Sequence, residues 1–370
     1  MIRFIYKKII KPFLFLFPAD DVHTIFLKFG QFLGKFSIVR WKLKFLFSYK
    51  NEILNQKVLG IEFENPVGLA AGFDYNADLI NILPSVGFGY HTIGTITNLS
   101  YIGNARPMLG RLPKSKSLLV NKGFKNSGID YVLKKINKRK KRIPLGISIG
   151  STNKAYFKIE EMAEDIVDAF EKVLKENYFD YFELNISCPN LINSENIVNK
   201  FDNPEGLNLL LLRLSNLKIN KPLFIKMYLE KNTEETMSLV EISSKYSFVK
   251  GFIFSNLVKN RNNPDFDKKE IENAGRGNFS GKPTEKITNE LISAVYKNYK
   301  DRFIIIGCGG IFTADDAYEK IKRGATLVQL ITGMIYEGPS LIGKINKDLA
   351  KLLKKDGYKN ISEAVGAYYK

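Results

Sequence analysis

A chain of 370 residues, 45% hydrophobic and 25% charged, can bury a large core, and it suits one big domain with an appendage better than a disordered polymer. Its two cysteines, Cys188 and Cys308, belong to no C-x-x-C pair, and its only histidines are His23 and His91; this excludes a disulfide framework, cysteine or multi-histidine zinc sites and histidine-based triads, and points to a reducing compartment. The net charge of +18 would attract polyanions, but the basic residues are spread along the whole chain, so a solvated basic surface is expected and no nucleic-acid partner.

Residues 1–50 stand apart, with ten Lys/Arg against two Asp, ten Phe and the only tryptophan, Trp41. The opening resembles a signal peptide, yet the apolar run Phe13-Leu14-Phe15-Leu16-Phe17 is bounded by Pro12 and Pro18, lacks a small-residue cleavage site and is too short to span a bilayer. The pattern predicts two short helices over 2–17 and 21–36, separated at Pro18-Ala19-Asp20-Asp21, with Asp20 or Asp21 as N-cap of the second. Phe and Leu on one side with Lys on the other suit a membrane interface; a helical pair packed on the body of the protein is the alternative.

From residue 65 onward, short apolar runs alternate with amphipathic helical patterns, the signature of βαβ units. The runs fall at 65–71, 90–96, 144–150, 181–187, 222–228, 249–255, 303–308 and 327–332, and eight is the number that closes a (β/α)8 TIM barrel. Between them, Ile159, Met162, Ala163, Ile166, Val167, Phe170, Val173 and Leu174 share one helical face, and Thr313 before Ala314-Asp315-Asp316 caps another helix. A doubly wound sheet is disfavoured because Gly68-Leu69-Ala70-Ala71-Gly72 lacks the dinucleotide spacing. The expectation is a barrel over 51–370 with a small N-terminal helical extension over 1–50, and with long insertions at 97–125 and 257–282 of the kind that carry function.

Active sites of such barrels lie at the C-terminal strand ends. Here those ends read Ala71-Gly72, Thr95, Ser148, Asn185 with Cys188, Lys226, Ser255-Asn256, Gly309-Gly310 and Thr332-Gly333. With so few carboxylates, oxygen-ligated metals and paired-carboxylate glycoside chemistry lose ground to a large hydrogen-bonding organic cofactor. The glycines after strands seven and eight favour a phosphorylated ligand. Lys226 is either an amine facing a cofactor ring or a lysine leaving for solvent. Cys188, bracketed by polar side chains, serves as nucleophile or proton carrier, and the second role is the more economical without a histidine nearby in sequence; Cys308 reads as a buried small hydrophobe.

These residues sit in long motifs: Asn65-Pro-Val-Gly-Leu-Ala-Ala-Gly-Phe-Asp74, Ile93-Gly-Thr-Ile-Thr97, Asn185-Ile-Ser-Cys-Pro-Asn190, Ser280-Gly-Lys-Pro283, Ile306-Gly-Cys-Gly-Gly-Ile311, Gly324-Ala-Thr-Leu-Val-Gln329 and Glu337-Gly-Pro339. Through them the chain resembles the dihydroorotate dehydrogenases over nearly its whole length, and within them the membrane-associated, quinone-reducing class 2. The stretch from Phe17 to His23 is similar to the class 2 extension that forms a quinone tunnel and docks on the membrane.

The resemblance implies FMN as cofactor, dihydroorotate as substrate with hydride leaving C6 and a base taking the C5 proton, and membrane quinone as oxidant, in pyrimidine biosynthesis. It implies that Ala71, Gly72, Thr95, Ser148, Asn185, Lys226, Ser255, Gly281, Gly310, Ile331 and Thr332 line FMN and that Cys188 is the base. The substrate positions would be Tyr75, Val120, Phe124, Asn185, Asn190, Asn256 and Leu257. It implies peripheral membrane attachment through residues 1–50, and the lack of a transit peptide or spanning segment leads to the expectation of the cytoplasmic face of a bacterial membrane.

The chain departs from that pattern at four places. Cysteine stands where class 2 has serine as base; Tyr75 replaces a lysine, Val120 an asparagine and Leu257 a threonine. A thiol, with an unperturbed pKa of about 8.5, accepts a proton more readily than a hydroxyl. The lost polar partners leave room for a different small unsaturated or pyrimidine-like substrate, unless Lys122 or Lys125 supplies the missing charge. Two rivals remain: a flavin-dependent tRNA dihydrouridine synthase, which would be expected to carry a substantial RNA-binding domain where only residues 334–370 follow the barrel, and a membrane-surface binding protein that has lost catalysis.

Overall fold

A computed structural model describes residues 2–136, 141–191 and 200–370. Eight parallel strands close a barrel in chain order: β1 (Val67–Leu69), β2 (Tyr90–Ile96), β3 (Leu145–Ile149), β4 (Tyr181–Asn185), β5 (Leu223–Met227), β6 (Val249–Phe254), β7 (Ile304–Cys308) and β8 (Leu327–Leu330), with β8 returning to β1 through Val328 opposite Val67. All eight apolar runs are therefore strands of one closed sheet, and the doubly wound alternative is excluded. The runs are apolar on both faces because one face fills the barrel and the other packs on helices.

Inward residues alternate along each strand and stack in layers. The lowest is apolar, with Tyr90, Tyr181, Phe224, Ile253, Ile306 and Leu327, and it is plugged by Val58 and Phe63 from the hairpin Gln56–Val58/Ile61–Phe63. Above it lies a buried polar layer, in which Glu183 Oε1 accepts from Thr92 Oγ1 (2.6 Å) and from Gln329 Nε2 (2.8 Å). The next inward positions, Asn185 on β4 and Lys226 on β5, are register partners at the barrel mouth. A sequence with apolar, then polar, then functional residues at every second position thus builds a closed floor under an open top.

The helix Ile159–Leu174 buries Met162, Ala163, Ile166, Val167, Phe170 and Val173, as its spacing requires, and Thr313 caps Ala314–Lys322 in a reciprocal pair with Asp316. The two insertions meet: Leu109–Leu112, Ser117–Val120 and Asn278–Phe279 form one antiparallel sheet over the barrel mouth.

The N-terminal reading needs three corrections. Helical backbone runs through residues 2–15, with a π-helical stretch at Tyr6–Ile10. The second helix is Ala19–Leu33, and a third, Ser37–Phe47, lies where none was expected. Pro18, not Asp20 or Asp21, is the N-cap; the Asp20 carboxylate is spent on the backbone N–H of Met108 (2.9 Å), while Asp21 pairs with Arg106.

The extension is strapped to the barrel by Arg3 and Lys7 on Glu337 (2.6 and 2.9 Å), by Tyr6 Oη donating to Ile335 O (2.7 Å) and by Arg111 donating to Phe17 O (2.7 Å). Its outer face still exposes Phe4, Phe13, Leu16, Phe29, Phe32, Trp41 and Phe45. Packing and an apolar outer face therefore coexist, and the two sequence alternatives were not exclusive. Among the described residues no helix is long and apolar enough to cross a membrane.

Candidate active site

The barrel mouth opens into a cavity of about 1220 Å³, counting its solvent-open part. Every residue singled out from the sequence lines it except Ser148. Ser148 is fully buried behind the wall, where its Oγ lies 2.9 Å from Thr95 Oγ1. It reaches the cavity only through Thr95, which also accepts from Asn185 Nδ2 at 2.7 Å.

One end of the cavity is walled by backbone. A Cβ on Gly309 would stand 2.3 Å from Thr284 Oγ1, one on Gly310 2.4 Å from Glu285 Cβ, and one on Gly333 2.0 Å from Ile311 O. Glycine is dictated by packing behind the wall, so main-chain amides rather than side chains are left for a ligand. Gly281, at φ +87°, closes the same region, and Ser280 Oγ meets Thr332 Oγ1 at 2.8 Å. Main-chain amides with hydroxyls and no carboxylate at the wall suit a phosphate, as residues 309–310 and 332–333 led one to expect.

The opposite part is lined by Cys188, Asn190, Asn256, Leu257, Phe124, Val120 and Tyr75. Asn185 Oδ1 accepts from Ser187 N (3.2 Å), and Asn256 Nδ2 donates to Ser187 Oγ (2.7 Å), which braces the turn between β4 and Cys188. Asn190 Nδ2 donates to Val120 O (3.1 Å) and Asn190 Oδ1 accepts from Asn278 Nδ2 (2.6 Å), tying the same turn to the sheet made by the insertions. Cys188 also opens onto a smaller cavity beside Thr152, Asn153 and Tyr228.

Burial pushes the Cys188 thiol up to about 11, against the opposing pull of the Asn190 backbone N–H, Lys226 and Lys259. The unperturbed value assumed from the sequence is thus corrected upward: desolvation of the thiolate outweighs the lysines. Burial likewise raises the Glu183 carboxyl, while Lys226, Thr92 and Gln329 lower it. Lys226 is therefore a buried amine between a carboxylate and a thiol, which removes the solvent-lysine alternative. Cys308 is buried beside the cavity with its thiol raised by burial.

Lys122 and Lys125 both line the cavity. Lys122 Nζ sits 4.8 Å over the Tyr75 ring and 3.1 Å from His23 Nδ1, and burial lowers its amine to about 7. His23, from the helix Ala19–Leu33, lines both this cavity and an almost wholly apolar one under the extension, of about 1060 Å³ counting its solvent-open part. Its involvement was missed because its partner lies 99 positions away and neither local pattern announces the other. Among the described residues there is no group of three or more His, Cys, Asp or Glu able to hold a metal ion.

A family model described as dihydroorotate dehydrogenase matches residues 53–353. A dihydroorotate dehydrogenase (quinone) of Trichodesmium erythraeum is 34% identical over 381 residues, covering 98% of each chain, and one of Christiangramia forsetii is 37% identical over 350 residues, covering 95% of this chain and 99% of its own. A crystal structure of DHODH from Eimeria tenella in complex with ferulenol superposes with a TM-score of 0.77 at 26% identity, over 90% of this chain and 94% of that one.

Proposed function

The chain belongs to the dihydroorotate dehydrogenase family, and from that premise we propose that it oxidises dihydroorotate to orotate on a bound FMN and passes the electrons to a membrane quinone, as a step of pyrimidine biosynthesis. The observation that carries the reading is a single cavity that joins a backbone-walled, phosphate-sized end to a thiol among three asparagines. FMN, when bound, supplies a two-electron acceptor for the substrate hydride.

Ala71, Gly72, Thr95, Asn185, Lys226, Ser255, Gly281, Gly310, Ile331 and Thr332 would hold it, with Ser148 orienting Thr95 from behind. Asn185, Asn190 and Asn256 orient the substrate, and Phe124 packs on it. Cys188 Sγ takes the C5 proton, which a neutral thiol can do only after losing its own. Tyr75, Val120 and Leu257 offer fewer polar contacts than the family pattern, which lowers selectivity for the substrate. Lys122, over the Tyr75 ring, does not restore the fixed cation, because burial lowers its amine to about 7.

Anaerobic mixing of the flavin-loaded protein with dihydroorotate should bleach the flavin absorbance, and added quinone should restore it. Failure to bleach with dihydroorotate, while another small unsaturated acid or pyrimidine does so, would transfer the reading to that compound. A preparation that retains no flavin would favour the non-catalytic membrane protein instead.

The exposed aromatic face of the extension is the part that would meet the bilayer. Trp41 and Phe45 stack with ring centroids 6.3 Å apart, and both are more than half exposed, at 63% and 80%. Changing both to serine should reduce sedimentation with anionic lipid vesicles by about tenfold or more, since each large apolar side chain contributes roughly 1.5–3 kcal/mol on burial. Soluble-acceptor activity should persist; undiminished vesicle binding would exclude this face as the docking surface.

A further inference from the structure

The apolar cavity enclosed by the extension is lined by three polar side chains, Tyr6, His23 and Arg111. Tyr6 donates to Ile335 O and holds its proton until about 12, and Arg111 is a permanent cation donating to Phe17 O. His23 is the remaining group, and its ring offers one donor and one acceptor nitrogen. Its Nε2 lies 3.0 Å from Phe73 O, a pure acceptor, so Nε2 carries the hydrogen. Nδ1 is then the bare nitrogen that accepts from Lys122 Nζ at 3.1 Å. Burial and the neighbouring Lys122 keep the ring neutral. Lys122 lines the barrel-mouth cavity, and His23 lines both cavities, so the pair bridges the wall between them.

We propose that Lys122 and His23 form a proton relay that carries hydrogen ions from the barrel-mouth cavity to a quinone bound in the apolar cavity. The inference rests on quinone being the oxidant. A quinone needs two electrons and two protons to become a quinol, and apart from those three side chains the lining of this chamber is apolar. In the first transfer the Nε2–H bond breaks as a quinone O–H bond forms, while a proton leaves Lys122 Nζ for Nδ1. The ring is then left with its hydrogen on Nδ1; it turns, gives that hydrogen to the second quinone oxygen while the bare Nε2 takes a proton from the recharged Lys122, and so ends in its starting tautomer. Lys122 is reprotonated from the barrel-mouth cavity, where oxidation of the substrate leaves two hydrogens. The electron pair comes from the same oxidation, so two hydrogens lost by the substrate reappear on the quinol. The extension thus contributes a relay group as well as a chamber.

The test uses flavin-loaded protein reduced photochemically, so that the identity of the substrate does not enter. Reoxidation is followed with decylubiquinone, which takes up protons, and with ferricyanide, which takes up none. In His23→Gln and Lys122→Met the quinone reaction should slow by about tenfold or more, the lower range of proton-transfer catalysis, while the ferricyanide reaction is unchanged. Wild-type rates with quinone, or equal slowing with both acceptors, would overturn the relay. Reduced wild-type protein that gives nothing to quinone would sink the quinone reading itself and the relay with it.

A second readout is independent of turnover. With two histidines in the chain, 15N-histidine NMR of the holoprotein resolves His23 from His91. His23 should be protonated on Nε2, and Lys122→Met should move its Nδ1 resonance to that of a free pyridine-type nitrogen without moving His91. A His23 protonated on Nδ1, or one indifferent to Lys122→Met, contradicts the relay.

Discussion

Cys188→Ser should slow flavin reduction by dihydroorotate at pH 7 by about two to three orders of magnitude, within the usual range for a lost general base. The thiol is itself a poor base in the resting protein, because burial raises it to about 11. At pH 7 only ~10⁻⁴ of the protein carries the thiolate. The sign follows: the base works unprotonated, so the reduction rate of the native protein should climb with pH and level off near 11. Serine ionises far higher, and its variant should show no plateau in the accessible range. Stopped-flow bleaching across pH checks both statements, and an unchanged rate in Cys188→Ser would remove the residue from the reaction. The same raised value means that the folded state retains a proton the unfolded chain would lose, so stability falls as pH rises above about 9.

Lys226→Met should yield protein without bound flavin and less stable by roughly 3 kcal/mol at pH 7, the scale for removing one partner from a buried charged group. Lys226 holds down the buried Glu183 carboxyl from the next layer of the barrel, and it also acts on the thiols of Cys188 and Cys308. Burial already raises Glu183 above its ordinary value, so its contribution to stability declines as pH passes from the unfolded value up through the folded one. Without Lys226 that window extends further upward, and the destabilisation should be larger at pH 8 than at pH 5. Adding Glu183→Gln should recover stability by removing the uncompensated charge, but should not recover flavin, which needs the amine at the cavity wall. Denaturant titration and flavin content measure the two effects separately; flavin retained in Lys226→Met would reassign the lysine to structure alone.

Much of this was readable along the chain, because the relevant patterns are local. Eight runs apolar on both faces can be satisfied only by a sheet covered inside and out, and their number closes it. The helix Ile159–Leu174 and the Thr313 cap depend on residues within one or two turns. The strand-end residues, from Ala71 to Thr332, converge because a parallel barrel brings every C-terminal end to one face. Their chemistry was therefore predictable once the barrel was.

What escaped the sequence depends on partners far apart. The residues 109–112 and 117–120 pair with 278–279 across the mouth, turning two insertions into one lid-like sheet. Asp20 has the composition of a helix cap, but two backbone N–H groups 88 and 89 positions away claim its carboxylate, and Pro18 takes the cap position. The helix Ser37–Phe47 escaped because its basic, aromatic pattern buries no residue fully and it packs on residues 83–86, far along the chain. The raised thiol of Cys188 is set by how much protein surrounds it, which no spacing encodes. So the order of chemical groups along the chain determined the barrel and the residues at its mouth. Only tertiary structure decided which of them are desolvated, which are paired, and that His23 and Lys122 meet, because burial and long-range contact set the energies of charge and proton transfer.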